Sequence, residues 1–461
     1  MRTSPAVVLA GTLIALLVAP AAASATRLSH DVNGDGLADV AAPGVVDGQN
    51  IGGATVVFGA RDRSAPASLV APGARGFRIT SEDAQPPETA EVIGDVNGDG
   101  LADVLVQIDI GAFVVFGKPD TAPVALDDGK GGVNPAFKDG QLGVAAENAE
   151  YARGAGDVDG DGLADITYDD EDGRQLATVR FGSRTAPLRA RMPIRSRGRV
   201  QKEGGLRPTI LPAGDTNGDG RDDLALAVTD PNGRADGFDV EEMVFVIRGR
   251  RDHRRVMVSQ GRRSSGARVR SRHHAAGFAV FHRRRDCFCE TFKIAPVGDL
   301  NGDGRGELGI AWMDPGSSRH SRVDIVFGRH GSSPVTLPGP RGAVIARGSW
   351  VTPFAGGLGD LTGDGRADML VAAEGSREGS LRLLGGKRAH GRVQARSLPI
   401  WIAATADPSI VEPAGDVDGD GHGDLLVAFT DDGTLYAIVY GAAPLAPLDL
   451  AHPGAAATIL H

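Results

Sequence analysis

One decapeptide pattern, first seen as DVNGDGLADV at residues 31–40, occurs seven times in the 461 residues of this chain. Each copy has oxygen-bearing side chains at positions 1, 3, 5 and 9, and glycine at positions 4 and 6. The copies begin at residues 31, 95, 157, 215, 299, 360 and 416, so successive copies start 56 to 84 residues apart. This spacing predicts a chain of repeated structural units rather than one continuous core.

The side chains of one copy favour a loop that wraps a hard cation. Alternate positions supply oxygen atoms, the carbonyl group of position 7 can supply another, and glycine permits the positive φ of a sharp turn. Ligation by oxygen alone, with several carboxylates, favours calcium over zinc or copper. A metal-free hairpin needs only a short Asp/Asn-Gly turn, not four oxygens in register. We therefore predict up to seven calcium sites.

The predicted ligands are the residues at positions 1, 3, 5 and 9 of each copy. They are Asp31, Asn33, Asp35, Asp39, Asp95, Asn97, Asp99, Asp103, Asp157, Asp159, Asp161, Asp165, Asp215, Asn217, Asp219, Asp223, Asp299, Asn301, Asp303, Glu307, Asp360, Thr362, Asp364, Asp368, Asp416, Asp418, Asp420 and Asp424. Glu307 is the only Glu at position 9 and can still ligate. Thr362 is a weaker neutral ligand at position 3, so the sixth site is expected to bind least well.

An EF-hand is the nearest alternative, but it requires an acidic residue at position 12 and a following helix. The residues at position 12 are Ala42, Val106, Tyr168, Leu226, Ile310, Val371 and Val427. None of them can close an EF-hand cage. The segments that follow the copies, such as VLVQI after Asp103, are apolar and partly β-branched. That composition is typical of a buried strand.

Other landmarks repeat with the decapeptide. Each copy is followed by an apolar segment that ends in glycine, and most of these segments are followed by proline within a few residues. The glycines are Gly59, Gly117, Gly182, Gly249, Gly328, Gly386 and Gly441. Another apolar run, such as AEVIGD or IAPVGD, precedes the later copies. The pattern predicts an all-β fold, a seven-bladed β-propeller of four-stranded antiparallel blades with calcium loops.

The segments FGARDRSAP, FGKPDTAP and FGSRTAP, with their D-x-[DN]-x-D-G-x-x-D loops, resemble FG-GAP/VCBS repeats. The resemblance covers about residues 26–461. It implies the seven-bladed β-propeller of integrin α-subunit heads, some fungal lectins and many exported bacterial proteins, with calcium held at positions 1, 3, 5 and 9. It does not specify a function, because one scaffold carries many activities.

Residues 1–25 have the pattern of a secretory signal peptide. Arg2 is followed by an apolar core from Val7 to Val18 and by the small-residue cleavage site Ala23-Ser24-Ala25. The apolar run is too short to span a membrane. We predict a secreted, soluble, monomeric propeller over residues 26–461. Its formal charge of −10 reflects 23 Asp and Glu at the predicted ligand positions, and therefore does not exclude anionic partners.

The longest interval between copies contains an Arg-rich insertion at about residues 250–290. The segment Arg248–Glu290 has 13 Arg and no Lys. It is interpreted either as a docking patch for a polyanion, such as nucleic acid, wall teichoic acid or acidic polysaccharide, or as a long solvated loop. The lack of aromatic residues among the arginines favours the loop. His273 and His274 within it are expected to be solvated rather than zinc-binding.

Three functions remain open. The chain has no nucleophile elbow, HExxH motif, phosphate loop or CxxC pair, which favours a binding or adhesion module for an extracellular glycan or protein. The alternative is a propeller enzyme, such as a calcium-assisted polysaccharide lyase or hydrolase, marked by ionisable residues of perturbed pKa in the central channel. The third is a polyanion binder that uses the Arg-rich insertion.

Two small groups of residues receive structural interpretations. Trp312, Trp350 and Trp401 are expected in the blade cores rather than at a sugar site. Cys287 and Cys289, two residues apart in CFC, are expected to form a local disulfide or to remain thiols rather than to be a redox site.

Overall fold

The computed structural model describes most of the repeated region of the chain. Both cysteines, His273 and the predicted signal peptide lie outside the described residues. The described residues are 30–46, 49–64, 67–81, 87, 89–130, 132–147, 149–169, 175–185, 187–196, 209–228, 243–259, 267–271, 274–282, 290–313, 322–337, 342–345, 353–354, 358–372, 381–386, 393, 398–403, 408–431, 433–442, 445–450 and 452–460. Among them, no helix has the length and apolar character needed to cross a bilayer.

The regular structure of the described residues is almost entirely β-strand, with one short α-helix, α1 (Pro135–Lys138), and two 3-10 turns, Gly73–Arg75 and Gly454–Ala456. The first strands are β1 (Val40–Val46), β2 (Gln49–Val57), β3 (Gly76–Thr80), β4 (Thr89–Gly94), β5 (Asp103–Ile108), β6 (Gly111–Val115), β7 (Val124–Ala125), β8 (Gly143–Glu147), β9 (Glu150–Gly156), β10 (Asp165–Asp169), β11 (Ala177–Arg180), β12 (Arg191–Ser196), β13 (Thr209–Gly214), β14 (Asp223–Val228), β15 (Met243–Ile247), β16 (Val256–Ser259) and β17 (Arg268–Ser271). The remaining strands are β18 (His274–Ala275), β19 (Gly277–His282), β20 (Glu290–Gly298), β21 (Glu307–Met313), β22 (Arg322–Val326), β23 (Val335–Leu337), β24 (Gly342–Ile345), β25 (Pro353–Phe354), β26 (Met369–Ala372), β27 (Leu381–Leu384), β28 (Ile400–Ala403), β29 (Pro408–Gly415), β30 (Asp424–Asp431), β31 (Gly433–Val439), β32 (Leu448–Asp449) and β33 (Ala457–Leu460).

These strands form seven sheets within the described part of the chain. We number them by their first strand: sheet 1 (β1-β2-β3-β7), sheet 2 (β4-β5-β6-β8), sheet 3 (β9-β10-β11-β12-β16-β17-β18), sheet 4 (β13-β14-β15-β19-β23), sheet 5 (β20-β21-β22-β24), sheet 6 (β25-β26-β27-β28-β32) and sheet 7 (β29-β30-β31-β33). The seven decapeptides, called loops 1 to 7 in chain order, lie directly before β1, β5, β10, β14, β21, β26 and β30. The predicted all-β fold is therefore confirmed.

The sequence predicted that every sheet would be four-stranded and antiparallel. Three of the sheets have more than four strands, and several contain a parallel pair. In several repeats the segment after the glycine that ends the FG strand crosses to the preceding sheet and adds a short parallel strand to its outer edge. Thus β7 pairs with β3, β16 with β12, β23 with β19, and β32 with β28. The corresponding segment of the first repeat contributes a parallel bridge from Ala67 to Leu460 in sheet 7. Such pairs of two or three residues carry too little sequence signal to be predicted as strands.

The core consists of seven apolar clusters, and each cluster fills the space between two sheets. In β5, for example, Val104 and Val106 pack towards sheet 1, whereas Leu105 packs towards sheet 3. Successive side chains of a strand point to opposite faces, so one strand serves two clusters. Six clusters join sheets that follow each other in the chain. The seventh joins sheet 7 to sheet 1 through residues such as Val40 and Leu426.

Much of the described part of the Arg-rich insertion forms strands rather than the long solvated loop that the sequence favoured. Its described residues form β16, β17 and β18, which extend the outer edge of sheet 3, and β19, which belongs to sheet 4. Val256, Val258 and Val269 are buried in the cluster between these two sheets. Alternating valines therefore fold the segment as a hairpin, because they provide an apolar face that sheet 4 covers.

Candidate metal centres

The first aspartate of each loop closes the turn. In loop 1, Oδ1 of Asp31 accepts the N–H groups of Gly34 (2.6 Å) and Asp35 (3.1 Å), and Oδ2 accepts that of Gly36 (2.8 Å). The glycines at positions 4 and 6 have positive φ, 81° and 85° in this loop, as the sequence predicted. At position 4 the neighbouring repeat adds a second restriction. A Cβ at Gly98 would lie 2.5 Å from Cγ of Arg184, so a larger residue would collide.

The carboxylate at position 9 is buried and joins two parts of the repeat. Asp103 accepts the N–H of Val96 on Oδ2 (2.7 Å) and that of Gly117 on Oδ1 (2.9 Å). Gly117 is the glycine that ends the FG strand, so the two sequence landmarks are bonded to each other. The same two bonds occur at Asp39, Asp165, Glu307 and Asp424. Sequence analysis did not identify this role of the glycine, although the fixed order of the two motifs was a signal for it.

Burial makes the position-9 carboxyl groups weak acids. Burial raises the pKa of Asp103 from 3.8 to about 7, and the nearby carboxylates of Asp99 and Asp95 raise it further, against the two N–H donors. The pKa of Asp368 is raised to about 6 by the same causes. The pKa values of Asp39, Asp223, Glu307 and Asp424 are raised to about 7, and that of Asp165 is raised well above 3.8. A cation that held the ionised forms would relieve this penalty.

Two loops bring three carboxylates together. In loop 3, oxygen atoms of Asp157, Asp159 and Asp165 lie within 4.8 Å of one another. In loop 7, oxygen atoms of Asp416, Asp418 and Asp420 do the same. These are the two loops with aspartate at position 3. Each triad could hold a metal ion, and its oxygen-only donor set fits a hard divalent cation.

In the other loops the position-3 side chain is bonded to a second predicted ligand. Nδ2 of Asn33 donates to Asp35 (3.1 Å) and Nδ2 of Asn97 donates to Asp99 (2.8 Å), which connects positions 3 and 5. In loops 4 and 5, Asn217 and Asn301 donate instead to the position-9 residues Asp223 (3.3 Å) and Glu307 (2.9 Å). In loop 6, the Thr362 hydroxyl lies 3.5 Å from Oδ1 of Asp360. The predicted ligands of each loop are thus neighbours in space.

Consecutive loops are also bonded to each other. The backbone N–H at position 8 of one loop donates to the carbonyl oxygen at position 1 of the preceding loop. The donor and acceptor pairs are Ala102 and Asp31, Ala164 and Asp95, Asp222 and Asp157, Gly306 and Asp215, Ala367 and Asp299, Gly423 and Asp360, and Ala38 and Asp416, with N···O distances of 2.7 to 3.4 Å. The last pair links loop 1 to loop 7. The loops therefore form one connected series of sites along one end of the sheets.

Asp222 and Thr216 are functional candidates that the sequence analysis missed. Oδ2 of Asp222, at position 8 of loop 4, accepts the N–H of Asp157 in loop 3 (2.8 Å), and burial raises its pKa to about 6. The Thr216 hydroxyl donates to Oδ2 of Asp223. Asp222 stands where the other loops have alanine or glycine, and that contrast was the available signal.

Other predicted residues have simpler positions. Trp401 is buried between sheets 6 and 7, as expected for a core residue. The side chain of Trp312 and the whole of Trp350 lie outside the described residues. His274 is exposed on β18. Outside the loops, Glu91 on β4 is a carboxyl group whose pKa is raised by burial; it accepts the N–H of Gly154 (3.2 Å), and Arg153 lowers its pKa.

A polar groove lies where β7 joins the edge of β3. Its volume is about 470 Å³, and it is lined by Thr80, Ser81, Ala125, Asp127, Asp128, Gly129, Asn134 and Pro135. Backbone N–H groups of Gly132 and Lys130 lower the pKa of Asp128, so this carboxylate stays ionised. Hydroxyl, amide and carboxylate groups therefore share one open surface.

Comparison with known proteins supports the resemblance to FG-GAP repeats. A family model described as FG-GAP-like repeat matches residues 360–427, a segment that contains loops 6 and 7. Among solved structures, the chain is similar to a lectin of Agrocybe aegerita that recognises non-reducing terminal N-acetylglucosamine. The identity is 14%, the TM-score is 0.37, and the match covers 80% of this chain and 81% of that chain. No curated protein sequence matches the chain.

The raised pKa values predict how the metal-free protein responds to pH. A position-9 carboxyl group has a pKa of about 7 when folded and about 4 when unfolded. Its contribution to stability is therefore complete below about pH 4 and is lost as the pH rises through about 7. We expect the melting temperature in excess chelator to decrease from pH 5 to pH 8, as measured by calorimetry. A bound divalent cation should reverse the slope, and a flat or rising curve in chelator would contradict the assignment.

Proposed function

We propose that the seven sheets are the blades of a closed, calcium-stabilised propeller that is exported and serves as a binding module for an extracellular glycan or protein. The supporting observation is the repeated oxygen-rich loop, in which buried carboxylates of raised pKa stand beside the other predicted ligands. Closure is supported by the contacts of sheet 7 with sheet 1, which include the Ala38 to Asp416 hydrogen bond of 2.9 Å.

Calcium is the proposed ion for two reasons. The donors are carboxylate, amide, hydroxyl and carbonyl oxygens, and calcium accepts six to eight such ligands in flexible geometry. Export, proposed from residues 1–25, would bring the protein to calcium concentrations near 1 mM. If Kd is about 0.1 mM, each site would add about 1.4 kcal/mol, and seven would add about 10 kcal/mol, which is similar to the whole stability of a typical domain.

The first test is the metal content. The protein equilibrated with 1 mM calcium should contain close to seven ions by elemental analysis, and chelation should lower its melting temperature. Asp103→Asn should remove about one ion, because it replaces a buried carboxylate of loop 2. Asp109→Asn, which changes a carboxylate in the turn after β5, is the matched control and should leave the count unchanged. Fewer than five ions, or no response to chelation, contradicts the proposal.

A binding function is favoured over catalysis by what the described residues offer. Glu91 has a raised pKa, but the charged group that acts on it is the guanidinium of Arg153 and not a second carboxyl group, so Glu91 does not belong to an acid/base pair of carboxylates. The groove beside β7 offers the hydroxyl, amide and carboxylate groups that bind sugar hydroxyls. We place the glycan site there. The extracellular lyase or hydrolase remains the alternative, for which turnover on a panel of polysaccharides is the test.

The second test is a glycan and protein array probed with the calcium-loaded protein. At least one ligand class should bind. Ala125→Trp should weaken glycan binding more than tenfold, because the indole would fill the groove from an exposed position of β7. Ala122→Trp, an exposed residue of the same crossing segment that does not line the groove, is the control. An array without hits, or equal effects of the two variants, contradicts this placement.

The Arg-rich insertion supports a second candidate, the binding of a polyanion. On β17 the exposed residues Arg268 and Arg270 alternate with the buried residues Val269 and Ser271. Register places Arg270 opposite Met257, which lies opposite Arg195 of β12. The guanidinium groups therefore share one face of the extended sheet, over a width of about 10 Å. A folded row of arginines is a better polyanion surface than the solvated loop expected from the sequence.

Charge reversal tests this second candidate without deleting packed strands. Arg268→Glu/Arg270→Glu should abolish salt-sensitive retention on heparin, because two cations on the proposed surface become anions. Lys130→Glu/Arg189→Glu changes the charge equally at exposed positions outside the insertion and is the control. Retention that is equal in both variants would attribute binding to net charge alone and would rule out the surface.

A further inference from the structure

Two loops differ from the rest in having aspartate at position 3, Asp159 in loop 3 and Asp418 in loop 7. Both side chains are buried, with 6% and 5% of the residue exposed. A fourth carboxylate at a buried loop is unfavourable unless something compensates its charge. In each of these loops, a side chain from a neighbouring sheet contacts the position-3 aspartate. The neighbour is sheet 1 for loop 7 and sheet 4 for loop 3.

Arg63, in the crossing segment of sheet 1, reaches loop 7. Its Nε donates to Oδ2 of Asp418, and its Nη2 donates to Oδ2 of Asp420 (2.7 Å). The guanidinium lies over the ring of Tyr440, 4.6 Å from the centroid. The carbonyl oxygen of Arg63 accepts the hydroxyl of Thr458 in β33 (2.8 Å). Side chain and backbone of Arg63 are thus both fixed against sheet 7.

His253, in the crossing segment of sheet 4, reaches loop 3 in the same way. Its Nε2 lies 2.5 Å from Oδ2 of Asp159, and its ring stacks on Phe181 with 3.9 Å between centroids and 14° between planes. The residue has a φ of +44°, which is uncommon for a side chain other than glycine. Loop 3 also contacts Asp222, so its surroundings contain five carboxylates.

The two contacts occupy one place in the repeat. Arg63 and His253 are each the fourth residue after the glycine that ends the FG strand, Gly59 and Gly249. The first residue after that glycine anchors the segment: Ala60 donates to the carbonyl of Val417 (2.9 Å) and Arg250 to that of Val158 (2.6 Å), both at position 2 of the preceding loop. This backbone bond places the fourth residue over position 3.

At the other five junctions, where a loop meets the next sheet, the residue at position 3 of the loop is neutral. Their preceding loops have Asn33, Asn97, Asn217, Asn301 and Thr362 at position 3. The fourth residues after their glycines are Thr121, Ala186, Ser332, His390 and Leu445, in the same order. His390 and Ala186 lie outside the described residues. Both carboxylates at position 3 thus occur where the next sheet supplies Arg or His, whereas His390, the third such residue, follows a loop with the neutral Asn301.

We propose that Arg63 and His253 are positioning residues that compensate the extra carboxylate of loops 7 and 3 and hold each loop against the next sheet without a metal ion. With Arg63 counted, the four carboxylates of loop 7 leave the same net charge as the three carboxylates of loop 1. Arg63 acts through its permanent charge, and His253 through the hydrogen bond to Asp159 and its stack on Phe181. The expected effect on calcium affinity rests on the proposed function, whereas the expected effect on the melting temperature in chelator does not.

A double-mutant cycle on loop 7 tests the proposal in excess chelator. Arg63→Gln should lower the melting temperature by about 3 °C or more, because it leaves Asp418 uncompensated. Arg63→Gln/Asp418→Asn should recover most of that loss, because it recreates the neutral pair of the other junctions. Arg63→Lys, which keeps the charge, should lose less than Arg63→Gln. If Arg63→Gln does not fold, recovery of a folded protein in the double variant supports the proposal equally.

Arg184→Gln is the matched control. Arg184 occupies the corresponding junction at loop 2, but its Nη1 donates to the carbonyl oxygen of Gly98 (2.7 Å) and not to a carboxylate. Its effect should be independent of Asp99→Asn. A double variant at Arg63 and Asp418 that is no more stable than Arg63→Gln, or single effects that merely add, would overturn the proposal.

Calcium titration provides the second readout. Arg63→Gln should lower the Kd of one site several-fold, because a cation next to two of the proposed ligands is removed. If the wild-type protein binds no calcium, the proposal of calcium sites is wrong. The double-mutant cycle of Arg63 and Asp418 in chelator then still tests the role of Arg63. If calcium binds and the cycle shows no coupling, the metal function stands and the role of Arg63 is wrong.

Discussion

The hydrogen bonds of the position-9 carboxylate are the interaction on which the repeated unit depends. Asp103 binds the N–H of its own loop at Val96 and the N–H of the distant Gly117. One side chain thereby fixes the turn and the end of the FG strand relative to each other. These donors satisfy the buried carboxylate only in part, since its pKa remains near 7. The repeat thus contains a strong bond network and an unrelieved charge in the same place, which is the physical basis for a cation site.

Hydrogen bonds and apolar contacts connect each repeat to its neighbours. Position 8 of each loop is bonded to position 1 of the loop before it, and the apolar strands between the loops share clusters with both neighbours. Each loop is therefore in contact with the packing of two sheets. Arg63 and His253 add a charged or polar contact at two of these junctions, where the loop is most acidic. The carboxylates that form these bonds are also the proposed metal ligands, so the proposed metal binding would act on the same contacts that stabilise the fold.

The two proposed binding surfaces, by contrast, lie away from the repeated network. The groove beside Asp128 and the arginine row on β17 both occur where a crossing segment adds strands to the outer edge of a sheet. These segments vary in length between repeats, whereas the loops do not. A constant scaffold with variable edges is suited to recognition, since edges can change without disturbing the carboxylates that hold the sheets together.

The repeat, the loop chemistry and the all-β class could all be predicted from the order of the residues. Aspartate at alternate positions, glycine at positions 4 and 6 and the apolar runs after Asp103 are local signals, and each acts within ten or so residues of its own position. The tertiary structure alone decided which residues meet across repeats. For example, β7 joins β3, Arg63 reaches Asp418, and the valines of β16 and β17, which sheet 4 covers, fold an Arg-rich stretch into a hairpin. These contacts depend on how one sheet is placed against the next, and sequence spacing carries no information about that distance.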